Sequence, residues 1–226
     1  DADFSTAERY VAGAEAPLLQ EFDDQLVLAN EAYDYDTLCR RQSHEIRPQR
    51  PDANFPTLGL NIGYAPRSAP RELQRLNAGQ APTIVEIDFS FNEAVLDVEV
   101  MRLSDGHSLT AYSEINLIAE KLRSLLQQPV RQRARRQDVY DLWLLLSSGR
   151  AWSTADRMEL LNCVRATCQA RHIEATSASL GDERVRALAA TGYGDLEPEV
   201  EGPLPDFDTA YALVRAFYES LPWDLP

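Results

Sequence analysis

The chain has 226 residues, of which 44% are hydrophobic, so it is long enough to bury a core in one large domain or in two smaller ones. Its formal net charge of −14 and its pI near 4.6 argue against a protein that wraps long nucleic acids through a basic surface. The sequence shows neither a run of about 18 apolar residues nor the basic and apolar regions of a signal peptide, so we expect a globular, cytoplasmic protein with no membrane partner.

The first half of the chain has the pattern of a mixed α and β fold. A helix is predicted near 17–31, where apolar residues recur at helical spacing. Strands are predicted at 55–65, 83–91 and 95–103, because these segments are rich in β-branched and aromatic residues and are bounded by Pro, Gly and Asn. The polar segments between these elements, 47–54 and 65–82, are predicted to be loops.

The second half is predicted to be helical. Ser113 is a suitable N-cap for a first helix, and a second helix is predicted within 133–146, where apolar residues recur at helical spacing. Ser153 lies three residues before Asp156, a spacing typical of a capping box, and predicts a third helix towards Cys168. A linker over 191–205 and a last helix over 208–221 complete the prediction.

The predicted elements divide the chain into two domains. We expect an α+β fold, with a mixed sheet and flanking helices over residues 1–112 and a helical domain over 113–226.

Charge is segregated along the sequence. Residues 180–226 contain ten acidic residues and three arginines, whereas residues 121–136 contain six basic residues and no acid. Because exposed charges are screened beyond about 8 Å at physiological salt, a local basic stripe attracts phosphate even in an acidic protein. We therefore expect the basic stripe to bind one end of a nucleic acid, and the acidic tail to keep the protein soluble or to contact a basic partner.

Three aspartates are candidate metal ligands. Asp1 and Asp3 alternate along a predicted strand, so their carboxylates point to the same side. Asp88 lies in a second predicted strand. Three carboxylates from two strands suit Mg²⁺ that also bridges nucleotide phosphates, although the same D-x-D pattern is common on protein surfaces.

Lys121 is the only lysine among the 22 lysines and arginines of the chain. If arginine has replaced lysine wherever the two are interchangeable, the one remaining lysine marks a position that needs a compact ammonium group. Chance survival of an exposed lysine explains the single lysine equally well. As a residue at the rim of the helical domain, Lys121 is expected to contribute no more than about 0.5 kcal/mol to folding.

Asp138 and Asp141 lie one turn apart beside the apolar face of the second predicted helix. Three roles are open to them: ion pairing with Arg135 or Lys121, capping of the helix start, and orientation of a substrate hydroxyl. Structural pairing is the commonest role of an acid in a first turn.

The segments "DADF", "VEIDF" and "AEKLRSLLQQPVRQRARRQDVYDLWLLL" resemble, in order and spacing, the four motifs of the AbiEii/AbiGii toxin family, a MenT-like family of the DNA polymerase β nucleotidyltransferase superfamily. The resemblance covers roughly residues 1–146. It implies a nucleotidyltransferase-like fold, metal ligands at Asp1, Asp3 and Asp88, and a lysine at Lys121 that contacts the triphosphate. Asp138 matches the acid of the last motif.

The sequence departs from the family pattern in two places. The superfamily's Gly-Ser, which precedes the D-x-D and holds the triphosphate through backbone N–H groups, is absent from this chain, so we expect a further N-terminal segment. Gln137 stands where the last motif usually has lysine, which leaves Arg135 and Arg136 as neighbouring cations.

The resemblance implies a toxin that transfers a nucleoside monophosphate from an NTP to an acceptor, in a reaction that depends on Mg²⁺ or Mn²⁺. Related toxins suggest the 3′ end of tRNA as acceptor and a cognate antitoxin as partner. We expect the acceptor or the triphosphate to contact the arginines Arg131, Arg133, Arg135 and Arg136. Two alternatives stay open, a phosphotransferase that acts on a protein hydroxyl and a non-catalytic binding module with the same fold.

Overall fold

The computed structural model describes residues 2–49, 53–104 and 106–225, and it divides into two compact units, Asp1–Val95 and Leu96–Pro226. The chain contains both helices and strands, which confirms the predicted α+β class. Residues 96–112, which the sequence analysis grouped with the first domain, lie in the second unit. They form the hairpin of β5 (Val98–Arg102) and β6 (Ser108–Tyr112), and β6 leads directly into the first helix of that unit.

The first unit is built on a four-stranded sheet with strand order β1-β4-β3-β2. Strands β1 (Ala2–Ser5) and β4 (Ile84–Ser90) are parallel, and β3 (Thr57–Ala65) is antiparallel to both β4 and β2 (Leu38–Arg47). Helix α1 (Glu15–Ala32) agrees with the predicted helix.

Two elements of the first unit were not predicted from the sequence. The segment 65–82, predicted to be a loop, contains helix α2 (Pro70–Asn77), which begins with Pro at its first turn and buries Leu76. Strand β2 was not predicted, because its sequence LCRRQSHEIR has neither an apolar run nor a clean alternation. Pairing with β3 therefore determines its conformation.

The sheet has one apolar and one polar face. On β3 the side chains of Leu58, Leu60 and Ile62 are buried, and they share a core with Leu19, Phe22 and Phe89. The alternate positions carry Gly59 and Asn61 on β3 and Glu86 and Asp88 on β4, next to each other in register. The polar face is therefore available for chemistry, whereas the apolar face binds α1.

The second unit consists of the hairpin and five helices among the residues that the structure describes, α3 (Glu114–Arg131), α4 (Arg136–Leu146), α5 (Thr154–Ala170), α6 (Glu183–Ala190) and α7 (Phe207–Glu219). Ser113 caps α3 through its side chain, as predicted. The fully buried residues of α3 and α4, among them Ile118, Leu122, Val139 and Leu142, form the centre of the core.

The acidic C-terminal region is part of this core rather than a free tail. Helix α7 buries Tyr211, Val214 and Tyr218, and the predicted linker contains a 3₁₀ helix, Tyr193–Glu199, that buries Tyr193 and Leu196. Removal of residues 192–226 would therefore expose apolar surface of the helical unit. In the described part of the chain, no helix combines the length and apolarity needed to cross a membrane.

Ser153 and Asp156 form the predicted capping box at the start of α5. The Ser153 hydroxyl accepts from the Asp156 backbone N–H, and the Asp156 carboxylate accepts from the Ser153 backbone N–H. Replacement of Ser153 with alanine is expected to lower the free energy of unfolding by about 1 kcal/mol, measured by urea denaturation. Ser153→Thr is the control, because threonine keeps the acceptor for the Asp156 backbone N–H and the hydroxyl donor to the Asp156 carboxylate, and it should leave stability near that of the wild type. An alanine variant as stable as the wild type would contradict the role of the cap.

Candidate active site

Asp3 and Asp88 lie on the same, polar face of the sheet, on adjacent strands. Asp3 on β1 is the register partner of Asp88 on the parallel strand β4. Register partners on adjacent strands project to the same face, and the strands lie about 4.8 Å apart, so one cation is within reach of both carboxylates. Asp1, the third predicted ligand, lies outside the described residues.

Asp88 already has a cationic partner. The Nη2 of Arg47 donates to Asp88 Oδ1 at 2.5 Å, and the Nε of Arg47 lies 3.4 Å from Glu45. These residues line a small cleft of about 70 Å³, together with Gly59, Asn61 and Glu86. The cleft places three acidic side chains and one arginine on the polar sheet face, beside the candidate metal ligands.

The donor set suits a hard divalent cation. Carboxylate oxygens are the ligands that Mg²⁺ prefers, and protein sites commonly supply one or two of them while nucleotide phosphates and water complete the shell. The in-register pair Asp3 and Asp88 meets that requirement. Within the described ranges, no group of three or more His, Cys, Asp or Glu side chains is arranged to hold a metal. The described residues thus fit a cation shared with substrate rather than a cage built by protein alone.

A second set of charged side chains lies in the helical unit, where α3 and α4 pack together. Lys121 Nζ donates to Asp141 Oδ2 at 2.6 Å and lies 3.5 Å from Asp138 Oδ1. The three side chains are only 20%, 26% and 13% exposed, respectively. Lys121 is therefore not a rim lysine, as the sequence suggested, but the centre of a half-buried network.

Burial dominates the electrostatics of Asp138. Desolvation raises the pKa of its carboxyl, Lys121 and Arg135 partly offset that rise, and Asp141 adds to it. Asp138 Oδ2 is buried and has no hydrogen-bond partner among the described residues, and Arg135 Nε lies 4.0 Å from it. A buried carboxylate oxygen without a hydrogen-bond partner is costly while ionised, which agrees with the raised pKa of Asp138.

The raised pKa of Asp138 predicts a pH dependence of folding. The folded protein holds this proton more tightly than the unfolded chain, where the carboxyl has its ordinary pKa of 3.8. The stability that Asp138 contributes is therefore full below that value and is lost as the pH rises through the raised pKa. Relative to the wild type, Asp138→Asn is expected to gain stability as the pH rises from about 4 to about 8, measured by urea unfolding.

Titrating groups distant from Asp138 are common to both proteins, so their contributions cancel in the difference between wild type and Asp138→Asn. The remaining difference reports Asp138 together with the charged groups coupled to it, Lys121, Arg135 and Asp141. A difference that is constant over the whole pH range would contradict the raised pKa of Asp138.

The arginines at the end of the basic stripe, residues 131–136, differ in whether an acidic side chain is close to them. Burial and the positive charges of Arg171, Arg123, Arg135 and Arg133 lower the pKa of Arg131, so these cations repel one another. An anion bound among them would relieve that repulsion.

Arg136 differs from the other arginines of the stripe. Its guanidinium contacts Asp195 at 3.0 Å, Glu199 at 3.4 Å and the backbone carbonyl of Gly192. Arg136 thus holds the 3₁₀ segment to α4. Its assignment to the nucleotide or acceptor stays a prediction.

The sequence had left ion pairing with Lys121 open for both Asp138 and Asp141, and the structure shows Lys121 in contact with both carboxylates. The sequence did not indicate a role for Arg47. Arg47 left no local signal, because its neighbour Asp88 is 41 residues away in the sequence.

A mixed sheet with in-register carboxylates, followed by a helical unit that carries a lysine between two acids, defines the chain as a nucleotidyltransferase-like protein. The family model for the nucleotidyl transferase AbiEii toxin of type IV toxin–antitoxin systems matches residues 1–213, and the chain belongs to this family. Membership confirms the resemblance found in the motifs and implies a nucleotide substrate and an antitoxin partner. No curated protein matches the chain.

Proposed function

We propose that this toxin-type nucleotidyltransferase transfers a nucleoside monophosphate from an NTP to the 3′ end of tRNA, with Mg²⁺ or Mn²⁺ as cofactor. The observation that carries the proposal is the register of Asp3 and Asp88 on adjacent parallel strands. Two carboxylates at this spacing, on a face that is not covered by α1, support cation-assisted phosphoryl chemistry.

Asp3 and Asp88 would hold the cation, together with Asp1 as the sequence implies. When bound, a divalent cation neutralises charge on the α-phosphate and lowers the pKa of the acceptor hydroxyl. Lys121 would contact the β and γ phosphates through its ammonium group, which Asp141 orients at 2.6 Å. Asp138 would accept a hydrogen bond through its unpartnered Oδ2.

The arginines at the junction of α3 and α4 support a nucleic acid acceptor. Arg131 and Arg133 are exposed and Arg135 is half-buried. Partial burial and then the neighbouring positive charges lower the pKa of Arg131, and a bound polyanion would offset that repulsion. Because the cluster is confined to one short segment of an acidic chain, it suits one end of an RNA rather than a long duplex. The 3′ end of tRNA offers phosphates and a terminal hydroxyl together.

The decisive experiment incubates protein expressed from the complete gene with total tRNA, Mg²⁺ and each α-labelled NTP in turn. The expected result is label in RNA of tRNA size, dependent on Mg²⁺ and lost in Asp88→Asn. Label in protein instead of RNA would replace this proposal with a protein-directed transferase. Absence of metal-dependent NTP binding in titration calorimetry would leave only a binding module.

The contrast between Arg133 and Arg136 gives a prediction about the acceptor. Arg133→Gln is expected to weaken tRNA binding about threefold to tenfold at moderate salt, because an exposed arginine contributes chiefly through phosphate contact. Stability should not change. Arg136→Gln is expected to lower the melting temperature instead, because it breaks contacts to Asp195 and Glu199. Filter binding of labelled tRNA and thermal melts measure the two effects, and equal loss of binding in both variants would contradict the distinction.

A further inference from the structure

Arg47 lies where the cation of the proposed function must bind. Its Nη2 donates to Asp88 Oδ1 at 2.5 Å, and the two side chains are 46% and 34% exposed. The contact spans the polar sheet face, since Arg47 is on β2 and Asp88 on β4, with β3 between them.

Gly59 on β3 makes that contact possible. It is the register partner of Asp88, and a Cβ built at Gly59 would lie 2.9 Å from Arg47 Nη2. The guanidinium therefore lies directly over the glycine backbone. Any larger residue at position 59 would push the end of the flexible arginine side chain away from Asp88 without removing its charge.

A guanidinium and a divalent cation compete for Asp88. The Oδ1 atom that accepts from Arg47 is one of the two oxygens that the carboxylate offers to a metal, and two cations at contact distance from one carboxylate repel each other strongly. A guanidinium displaced from Asp88 would still have an acidic partner, because Glu45 lies 3.4 Å from the Nε of Arg47 on the same strand and the cleft beside it is open.

We infer that Arg47 is a displaceable counter-ion of Asp88, which yields the carboxylate to the divalent cation and then contacts a phosphate group of the nucleotide. This inference rests on the proposed function, because it requires a cation at Asp3 and Asp88. A released guanidinium beside a cation-bound triphosphate has the planar geometry that binds phosphate oxygens in pairs. Arg47 is thus inferred to be a phosphate-binding residue of the first unit.

The test uses Mn²⁺ alone as the first probe, with the free Mn²⁺ signal followed by electron paramagnetic resonance. Arg47→Gln and Gly59→Ala are both expected to bind Mn²⁺ about fivefold more tightly than the wild type, the scale of a half-exposed ion pair. Arg40→Gln, on the same strand but bonded to Asn77, is the matched control for loss of one positive charge and should bind like the wild type.

The second probe is Mn²⁺ with inorganic tripolyphosphate, which separates the two parts of the inference. Both site variants remove the competition, but only Gly59→Ala keeps the guanidinium. Arg47→Gln is therefore expected to bind the complex about tenfold more weakly than Gly59→Ala does. Arg47→Lys, which retains the charge without the planar fork, should fall between them. Equal affinities in Arg47→Gln and Gly59→Ala would overturn the phosphate contact.

Failure of the inference is distinguishable from failure of the proposed function. If Asp88→Asn abolishes Mn²⁺ binding and Arg47→Gln leaves it unchanged, the cation site stands and the counter-ion role of Arg47 is wrong. If neither the wild type nor any variant binds Mn²⁺, both are wrong. Binding that appears only in Arg47→Gln and Gly59→Ala would support both. Thermal melts of every variant confirm that each is folded.

Discussion

Lys121→Arg is expected to lose nucleotidyl transfer by at least about a hundredfold while remaining folded. The ammonium group of Lys121 lies between Asp138 and Asp141, at 3.5 and 2.6 Å, in a network that is mostly buried. A guanidinium keeps the charge and so keeps the two acids compensated, but its planar fork would place its donors differently from a compact ammonium. Transfer of labelled nucleotide to tRNA at saturating Mg²⁺ measures the loss, and the melting temperature reports the fold.

Lys121→Ala should also lose transfer, and it should be less stable by about 1–3 kcal/mol, because two half-buried carboxylates would lose their shared cation. The structure thereby replaces the expectation of a negligible effect on folding. Arg150→Ala is the matched control, since Arg150 also bridges two acids, Glu114 at the start of α3 and Asp156 at the start of α5, neither of which is a candidate site residue. It should lose stability and keep activity. Full activity in Lys121→Arg would contradict the argument that the single lysine marks a position where arginine cannot function. Full activity in Lys121→Ala would contradict the assignment of Lys121 as a phosphate ligand.

Asp88→Asn is expected to lower transfer by at least about a thousandfold, because charge stabilisation by a divalent cation contributes several kcal/mol to phosphoryl chemistry. The amide keeps the size of the side chain but gives up the negative charge that faces Asp3 in the register. Folding should change by no more than about 1 kcal/mol, since the ion pair with Arg47 is half-exposed. The measurement is again the transfer of labelled nucleotide, over a range of Mg²⁺ concentrations.

Glu86→Gln is the matched control for Asp88→Asn. Glu86 lies two residues earlier on β4, on the same sheet face and beside the same cleft, but its register partner is Asn61 on β3. Its substitution removes one negative charge close to the site without removing a proposed ligand. Equal loss in both variants would indicate a general electrostatic effect and would contradict the specific role of Asp88.

Local patterns in the sequence were sufficient for much of the fold. The helices α1, α3, α5 and α7 follow apolar spacing and caps such as Ser113 and Ser153, because side chains three and four residues apart share a helix face. Strands β3 and β4 follow from β-branched and aromatic composition. The family was recognisable from three short segments, and the family match over residues 1–213 confirms it.

The elements that were missed have sequences with weak local preferences. Strand β2 is polar and charged, and it is a strand because β3 pairs with it along its length. Helix α2 lies in a segment rich in Pro, Arg and Ala, where turn signals outweigh the single buried Leu76.

The sequence by itself determined which chemical groups this protein has, namely the carboxylates of Asp3 and Asp88, the single lysine and the arginine stripe. Tertiary structure alone decided their partners. Strand register placed Asp3 beside Asp88, packing of α3 on α4 buried Lys121 between two acids, and the glycine at position 59 let Arg47 reach across β3. The physical reason is that spacing along a chain constrains neighbours within a few residues, whereas contacts between distant residues depend on how sheets and helices pack.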